Sequence, residues 1–342
     1  MPQIEIEEAV PVLDPAGNPS NFGWARSPYF QYDPSLILSP QRTITGIDRF
    51  SIFSPTNIVS FEIQDNGYSG RIHAAVISLK DKTHFSYSSF LLFPLGIFEL
   101  PASSENGSIK IRQKKLLLDF LIMNEKSRIL RADIPQFSHH RILRGEVVLT
   151  TLPGAESLAV HMPWHREKQA FRYTLCSPCF VTEGVVQCGT TEIVFTKGNA
   201  WGIFDWMRGV RPQRDLRFWA AASGMNDGRH IGLSIGYSTA DSQFGTENAF
   251  FLDGRIHKLD QVTFHFSPDD EFKPWRFTSN DNRLEMIFSP IDEITEHNRI
   301  LFYAQRQRTI FGSFSGTIIL DDGAKRSFEG ISGIVEDRMT RF

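Results

Sequence analysis

Asp205-Trp206-x-Arg208-Gly209, Trp219-Ala220, Gly228-x-x-Ile231-Gly232, Thr246-Glu247-Asn248 and Asp253-Gly254-x-x-His257-Lys258-Leu259 follow one another in the last part of the chain. Pro274-Trp275, Arg283-Leu284-Glu285 and Phe311-Gly312-x-Phe314-Ser315-Gly316 complete the series. Acid, amide, base and indole groups recur where short apolar-alternating runs enter or leave turns. Asp253-Gly254 lies between Phe250-Phe251-Leu252 and Arg255-Ile256-His257, and Asp322-Gly323 separates residues 317–320 from 324–328. Such dipeptides supply the positive φ that two-residue hairpin loops require. The stretch reads as antiparallel hairpins in a barrel or sandwich, with polar groups set into an aromatic interior.

The same period of two runs outward through the chain, in Phe61-x-Ile63, Ile72-x-Ala74-x-Val76, Ile109-x-Ile111 and Val262-x-Phe264-x-Phe266. Helical stripes with caps are scarce, while Asn106-Gly107 and Asn280-Asp281-Asn282 add turn signals. The fold class is therefore all-β, closed or nearly closed to protect its strand edges. At 342 residues the chain suits two domains. Residues 153–167 hold Pro153-Gly154 and Met162-Pro163-Trp164-His165, breaks that mark a boundary. The expected division is an extended arm over 1–40, an N-terminal barrel domain over 41–160 and a C-terminal barrel domain over 161–342. The arm is rich in proline but also carries Phe22, Trp24, Tyr29, Phe30 and Tyr32, which give it much to bury.

Composition excludes several classes. The net charge of -3 leaves no basic excess to hold a phosphate backbone, so no nucleic-acid partner is expected. The acidic start lacks a basic region followed by an apolar core, the mark of a secretory signal. The longest apolar stretch, near 90–100, is short and broken by Pro94 and Gly96, so stable membrane insertion is not expected. Three cysteines cannot all pair, which points to a reduced, cytoplasmic setting. No glycine-rich nucleotide loop or HExxH is present, and the middle residue of Gly312-x-Phe314-x-Gly316 is not serine. No cofactor is expected.

With these elements in place the chain resembles the family called domain of unknown function 2804. The resemblance rests on Gly17-x-x-x-Asn21-x-Gly23-Trp24-Ala25-Arg26, on Phe93-Pro94-Leu95-Gly96 with Leu100-Pro101, and on the C-terminal series. It covers nearly the whole chain. The chain departs from the family pattern at Met207, where glycine is frequent. A more distant likeness is to two-domain lipocalin-like proteins of the carotenoid-hydratase type. That likeness implies two lipocalin-like antiparallel barrels in tandem and an apolar pocket, in a barrel or between barrels.

Asp205 and Glu247 are the candidate catalytic acids. Each lies among apolar or aromatic neighbours, so burial is expected to raise a carboxyl pKa and keep a proton available. Asp253 shares such neighbours, but its place before Gly254 is explained by a turn bond. Arg208 can clamp a carboxylate or phosphate head group, or else pair with Asp205 or Asp215. Asn248 and His257 flank the Asp253-Gly254 turn and are expected to face each other, with Lys258 in water. Trp206, Trp219 and Trp275, with Trp201, are candidate pocket walls or core. His161-x3-His165 and Cys176-x2-Cys179 have residue types that bind zinc, yet in an order reversed from the usual one. No metal site is assigned.

The leading expectation is a soluble protein holding a hydrophobic small molecule, a lipid or isoprenoid, in an apolar pocket. Its rival is a cofactor-independent hydratase, isomerase or cyclase using Asp205 or Glu247 as proton donor. The third reading is a structural or interaction module without a pocket.

Overall fold

The computed structural model describes residues 3–94, 97–113, 115–267, 272–300 and 303–341. These residues form two curled antiparallel sheets in tandem, and the regular helical elements among them are the single 3-10 turns Pro34–Leu36 and Gln41–Thr43. The first sheet has thirteen strands. Its main path runs Thr83–Leu92, Ser69–Ser78, Asn57–Asp65, Ile44–Phe53, Trp201–Val210, Phe171–Cys188, Arg141–Thr150, Ser127–Ser138, Leu116–Asn124 and Ile109–Gln113. Leu158–Pro163 and Thr191–Phe195 pair along the long strand Phe171–Cys188, and Gly23–Ala25 adds to the former. The second sheet has nine strands, in the order Arg255–Lys258, Ala249–Leu252, Arg229–Ser238, Arg214–Asn226, Lys325–Arg341, Tyr303–Ile319, Leu284–Ile300, Trp275–Ser279 and Val262–His265.

The boundary expected at residues 160 and 161 does not coincide with the change of sheet, which falls later, between Val210 and Arg214. The Pro153-Gly154 break opens a short excursion, and the chain then returns through Leu158–Pro163 to the same sheet. The arm is extended and holds both halves. Gly23–Ala25 pairs with Leu158–Pro163 of the first sheet, while Ile4 donates to Phe244 O in the second half. Asp253 and Gly254 have φ of +50° and +78°, the conformation their hairpin requires.

Period two here separates two buried faces. In Ile44–Phe53 the residues Phe50 and Ile52 enter the first half-barrel, whereas Phe53 joins a cluster between the sheets. The second half-barrel encloses its own cluster, including Trp275, Phe277, Phe288, Phe314 and Phe328. A third cluster of Phe53, Ile58, Ile77, Ile203, Trp219, Phe311 and Ile334 joins the halves. No helix among the described residues is long and apolar enough to cross a membrane.

Candidate functional site

The residues singled out by sequence go to three places. Asp205, Glu247 and Trp219 meet in a charged seam between the sheets. Arg49, Glu62, Arg71 and His73 reach it from the first sheet, while Arg217, Glu296, Glu336 and Arg338 reach it from the second. Arg49 sits at the centre. It lies 2.6 Å from Glu336, 2.8 Å from Asp205 and 3.5 Å from Glu62, with its guanidinium 4.4 Å from the Trp219 ring centroid. Arg217 pairs with Glu247 at 2.7 Å and approaches Asp205 to 3.7 Å. Arg71 binds Glu62 at 3.0 Å and also Glu296, and Arg338 binds Glu62 and Glu336, each at 3.1 Å.

This geometry changes the chemistry expected of the acids. Burial alone raises the Glu247 carboxyl, but the charges of Arg217 and Arg172 outweigh it and hold the group below its ordinary value. Glu336 is lowered in the same way by Arg338 and Arg49. A proton is therefore not kept ready on Glu247, and Asp205 is fixed between two arginines. His73 moves to about 4, because burial and then the Arg71 charge disfavour its imidazolium. The seam encloses a cleft lined by the apolar Ile58, Ala75, Ile294 and Phe311 together with Arg49, Glu62, His73 and Glu336. Its free volume is about 20 Å³, room for a single water.

Arg208 and Trp206 go to the mouth of the first half-barrel. Arg208 lies 2.7 Å from Asp48 as a contact ion pair without hydrogen-bond alignment. It donates to the backbone oxygens of Pro101 (3.0 Å), Ile47 (3.2 Å) and Met207 (2.8 Å) and stacks on Trp206 at 4.5 Å. Its partner is thus Asp48, neither Asp205 nor Asp215; Asp215 binds Arg172. Met207 lies within the strand Trp201–Val210, so its departure from the family pattern falls on no turn. Beside Arg208 opens a cavity of about 260 Å³. Ile44, Leu100 and the Tyr32 ring line it together with Thr45, Asp65 and Arg208. Gly46 lets Leu100 and Arg208 close over its strand, since a Cβ there would stand 2.8 Å from Leu100 Cδ1 and 3.3 Å from Arg208 Cδ. Burial raises the carboxyls of Asp48 and Asp65 and pushes the Tyr32 hydroxyl up to about 12.

The remaining candidates serve the second half-barrel. Asn248 does not face His257. The turn pairs Leu252 with Arg255, so Phe250 stands opposite His257, while Asn248 accepts from Gly236 N–H at 2.8 Å and donates to Asp260 O at 2.7 Å. His257 accepts the Asp321 backbone N–H at 3.2 Å. Trp275 stacks on Phe266 at 4.4 Å and belongs to the core. Lys258, expected in water, turns inward and donates to Thr246 Oγ1 at 2.6 Å, Leu259 O at 2.8 Å and Asn248 O at 3.0 Å. Burial lowers its pKa well below the ordinary value. The His161, His165, Cys176 and Cys179 set does not converge. His161 packs among the Phe22, Phe30 and Phe171 rings, His165 pairs with Asp241 at 2.8 Å, and Cys176 lies between the sheets. Among the described residues no group of three or more such side chains could hold a metal ion. The Leu95-Gly96 part of the family signature lies outside the described residues.

Sequence reasoning passed over Asp48, Arg49, Glu62, Arg71, His73, Glu336 and Arg338. Their signal is charge inside otherwise apolar strands, as in Ile47-Asp48-Arg49-Phe50 and Arg71-Ile72-His73-Ala74. A charge that keeps strand phase with buried neighbours marks a second packed face.

The fold and these cavities define a two-part lipocalin-like all-β protein. The chain belongs to the family described as Domain of unknown function (DUF2804), which its residues 3–342 match. No curated protein sequence matches it. Among solved structures it is similar to CghA, with a TM-score of 0.56 and 12% identity over 90% of this chain and 91% of that one. Kievitone hydratase from Nectria haematococca gives 0.43 and 10%, covering 87% of this chain and 89% of its own. At such identities the likeness speaks for the fold alone.

Proposed function

We propose that the protein holds a small hydrophobic molecule with one polar end in the cavity at the mouth of the first half-barrel. One observation carries this reading: a space of about 260 Å³ is lined both by the apolar Ile44, Leu100 and Tyr32 ring and by a few polar groups, among them Arg208, Asp65, Gln41 and Glu99. Ligand sites combine just these elements, an apolar lining and a few placed polar groups. Arg208 is held in place by Asp48 and by the backbone oxygens of Pro101, Ile47 and Met207, so it presents a fixed polar surface to the ligand. The test is native mass spectrometry of the freshly purified protein, followed by solvent extraction. A lipid or isoprenoid that co-purifies with the natural chain and is missing from Leu100→Trp supports the reading. A ligand carried equally by both proteins rules this cavity out.

A second reading, cofactor-independent acid catalysis on the same ligand, is favoured by the Asp65 carboxyl. It lines the cavity and burial raises its pKa, with the Gly67 N–H bond at 2.7 Å opposing that shift. Asp65, not Asp205 or Glu247, is then the proton donor. Asp65→Asn should abolish turnover of the extracted molecule and keep its affinity. Unchanged turnover would remove the acid from this role.

A further inference from the structure

The strand Ser127–Ser138 sends Leu130, Ala132 and Ile134 into the first half-barrel, and Arg128 stands in phase with them. Its side chain enters the same interior and is only 8% exposed. The guanidinium lies 5.1 Å from the Phe180 ring centroid and 5.4 Å from that of Phe204. Its one hydrogen bond among the described residues runs from Nη2 to Ser104 O at 3.3 Å, while Nε and Nη1 are buried without a partner there. Among the described residues no ion pair joins it to an acid. Arg49, Arg71, Arg172, Arg208, Arg217 and Arg338, buried to a similar degree, each have a carboxylate within ion-pair distance. Burial pulls the Arg128 pKa down, with the Glu105 charge opposing it. A lone guanidinium between two aromatic rings is thus a charge the fold leaves uncompensated.

Arg128 also borders a cavity of about 230 Å³, separate in its lining from the one beside Arg208. Leu175 and Leu152 supply apolar surface there, and Ser157, Ser177 and Thr151 supply hydroxyls. Lys126 lines it too, and of the three acids on its wall Glu156 is already bound to Arg255 at 3.0 Å and to the Ile256 N–H at 2.8 Å. Glu105 and Glu125 are exposed. We propose that Arg128 is the seat of a second binding site, which takes the carboxylate or phosphate end of a small organic molecule whose apolar part lies against Leu175. The guanidinium matches both oxyanions, and its dry surroundings strengthen the pairing. This site stands apart from the reading given to the Arg208 cavity.

Titration calorimetry with octanoate, octyl phosphate and octanol tests the assignment on the full chain. Saturable binding of octanoate or octyl phosphate, with octanol at least tenfold weaker, is the expected result, and the tighter of the two names the head group. Arg128→Met should lose at least tenfold in that affinity and, without ligand, melt no lower than the natural protein. Ser177→Phe narrows the cavity without touching Arg128 and should weaken the same ligand, which keeps the test open if Arg128→Met does not fold. Leu100→Trp should leave it unchanged. Octanol binding as tightly as the two anions, no binding of either anion at millimolar concentration, or affinity retained in the variants would overturn the proposal.

Discussion

The two half-barrels are built from the same curled antiparallel sheet but are filled differently. The second has Phe277, Phe288 and Phe314 in ring contact within its apolar cluster, and the buried Asn248 and Ser279 that keep phase with its strands are uncharged. The first admits Asp48, Arg128 and Arg208 among its apolar residues and has cavities beside both arginines. Close-packed interiors resist change, whereas polar groups beside a cavity give up packing for placed donors and acceptors. On the function proposed above, the guest sits in the first half and the second half serves as its packed base. The charged seam and the apolar cluster around Trp219 both lie between them.

Breaking the seam is the severest test of that division. Arg49→Ala leaves Glu336, Asp205 and Glu62 without their shared counter-charge, and removing one member of a buried ionic group costs about 3–5 kcal/mol. Urea unfolding followed by tryptophan fluorescence should show that loss. It should also split one transition into two, the second half unfolding last. A single transition shifted by less than about 1 kcal/mol would mean that the halves are held by the apolar cluster around Trp219 instead.

Filling can be compared directly by truncation. Phe314→Ala, at a fully buried ring, should cost about 3–5 kcal/mol in urea unfolding. Leu100→Ala, at the wall of an existing cavity, should cost about 1 kcal/mol, because little packing is lost there. Equal costs would erase the contrast between the halves.

Much of this architecture could be read from the sequence. Asp253-Gly254 and Asp322-Gly323 mark real hairpins, and the period of two marks real strands. The pairings across the seam could not be read. Arg49 meets Glu336 across 287 positions and Asp205 across 156, and alternation tells which residues share a face but not which faces meet. The same limit hid the change of sheet at residues 211–213, since a break at Pro153-Gly154 looks alike whether the chain leaves its sheet or returns to it. At Asn248 and His257 the error was one of counting from the turn, where two positions decide the partner.

Acid sharpens the comparison through two histidines, one at the seam and one beneath the arm. His73 and His161 have folded pKa values of about 4 against an ordinary 6.5, both chiefly from burial. Above 6.5 neither state binds the proton and their contribution to stability is complete. As pH falls from 6.5 to 4 only the unfolded chain is protonated, so stability is lost, by up to about 3 kcal/mol for each group. The lowered carboxyls of Glu247 and Glu336 add their own loss only below about 4.5. His73→Gln with His161→Phe should flatten urea-derived stability across that window. An unchanged slope would assign the acid sensitivity to other groups.

The smallest effect concerns the pair that distinguishes the first interior from the second. Arg208→Met alone leaves the buried Asp48 carboxyl, already raised by burial, without its cation. Asp48→Asn alone leaves Arg208 with only backbone acceptors. Each single change should therefore destabilise by a few kcal/mol, Arg208→Met the less, because Asp48 can take up a proton. The double variant removes both charges together and should lie within about 1 kcal/mol of the natural protein, since a buried pair gains little over apolar or neutral groups of similar size. A double-mutant cycle in urea measures this coupling. Additive losses would show that Asp48 and Arg208 act independently. Strong coupling with near-natural stability in the double variant would show that the pair acts as a unit and adds little to the stability of the fold.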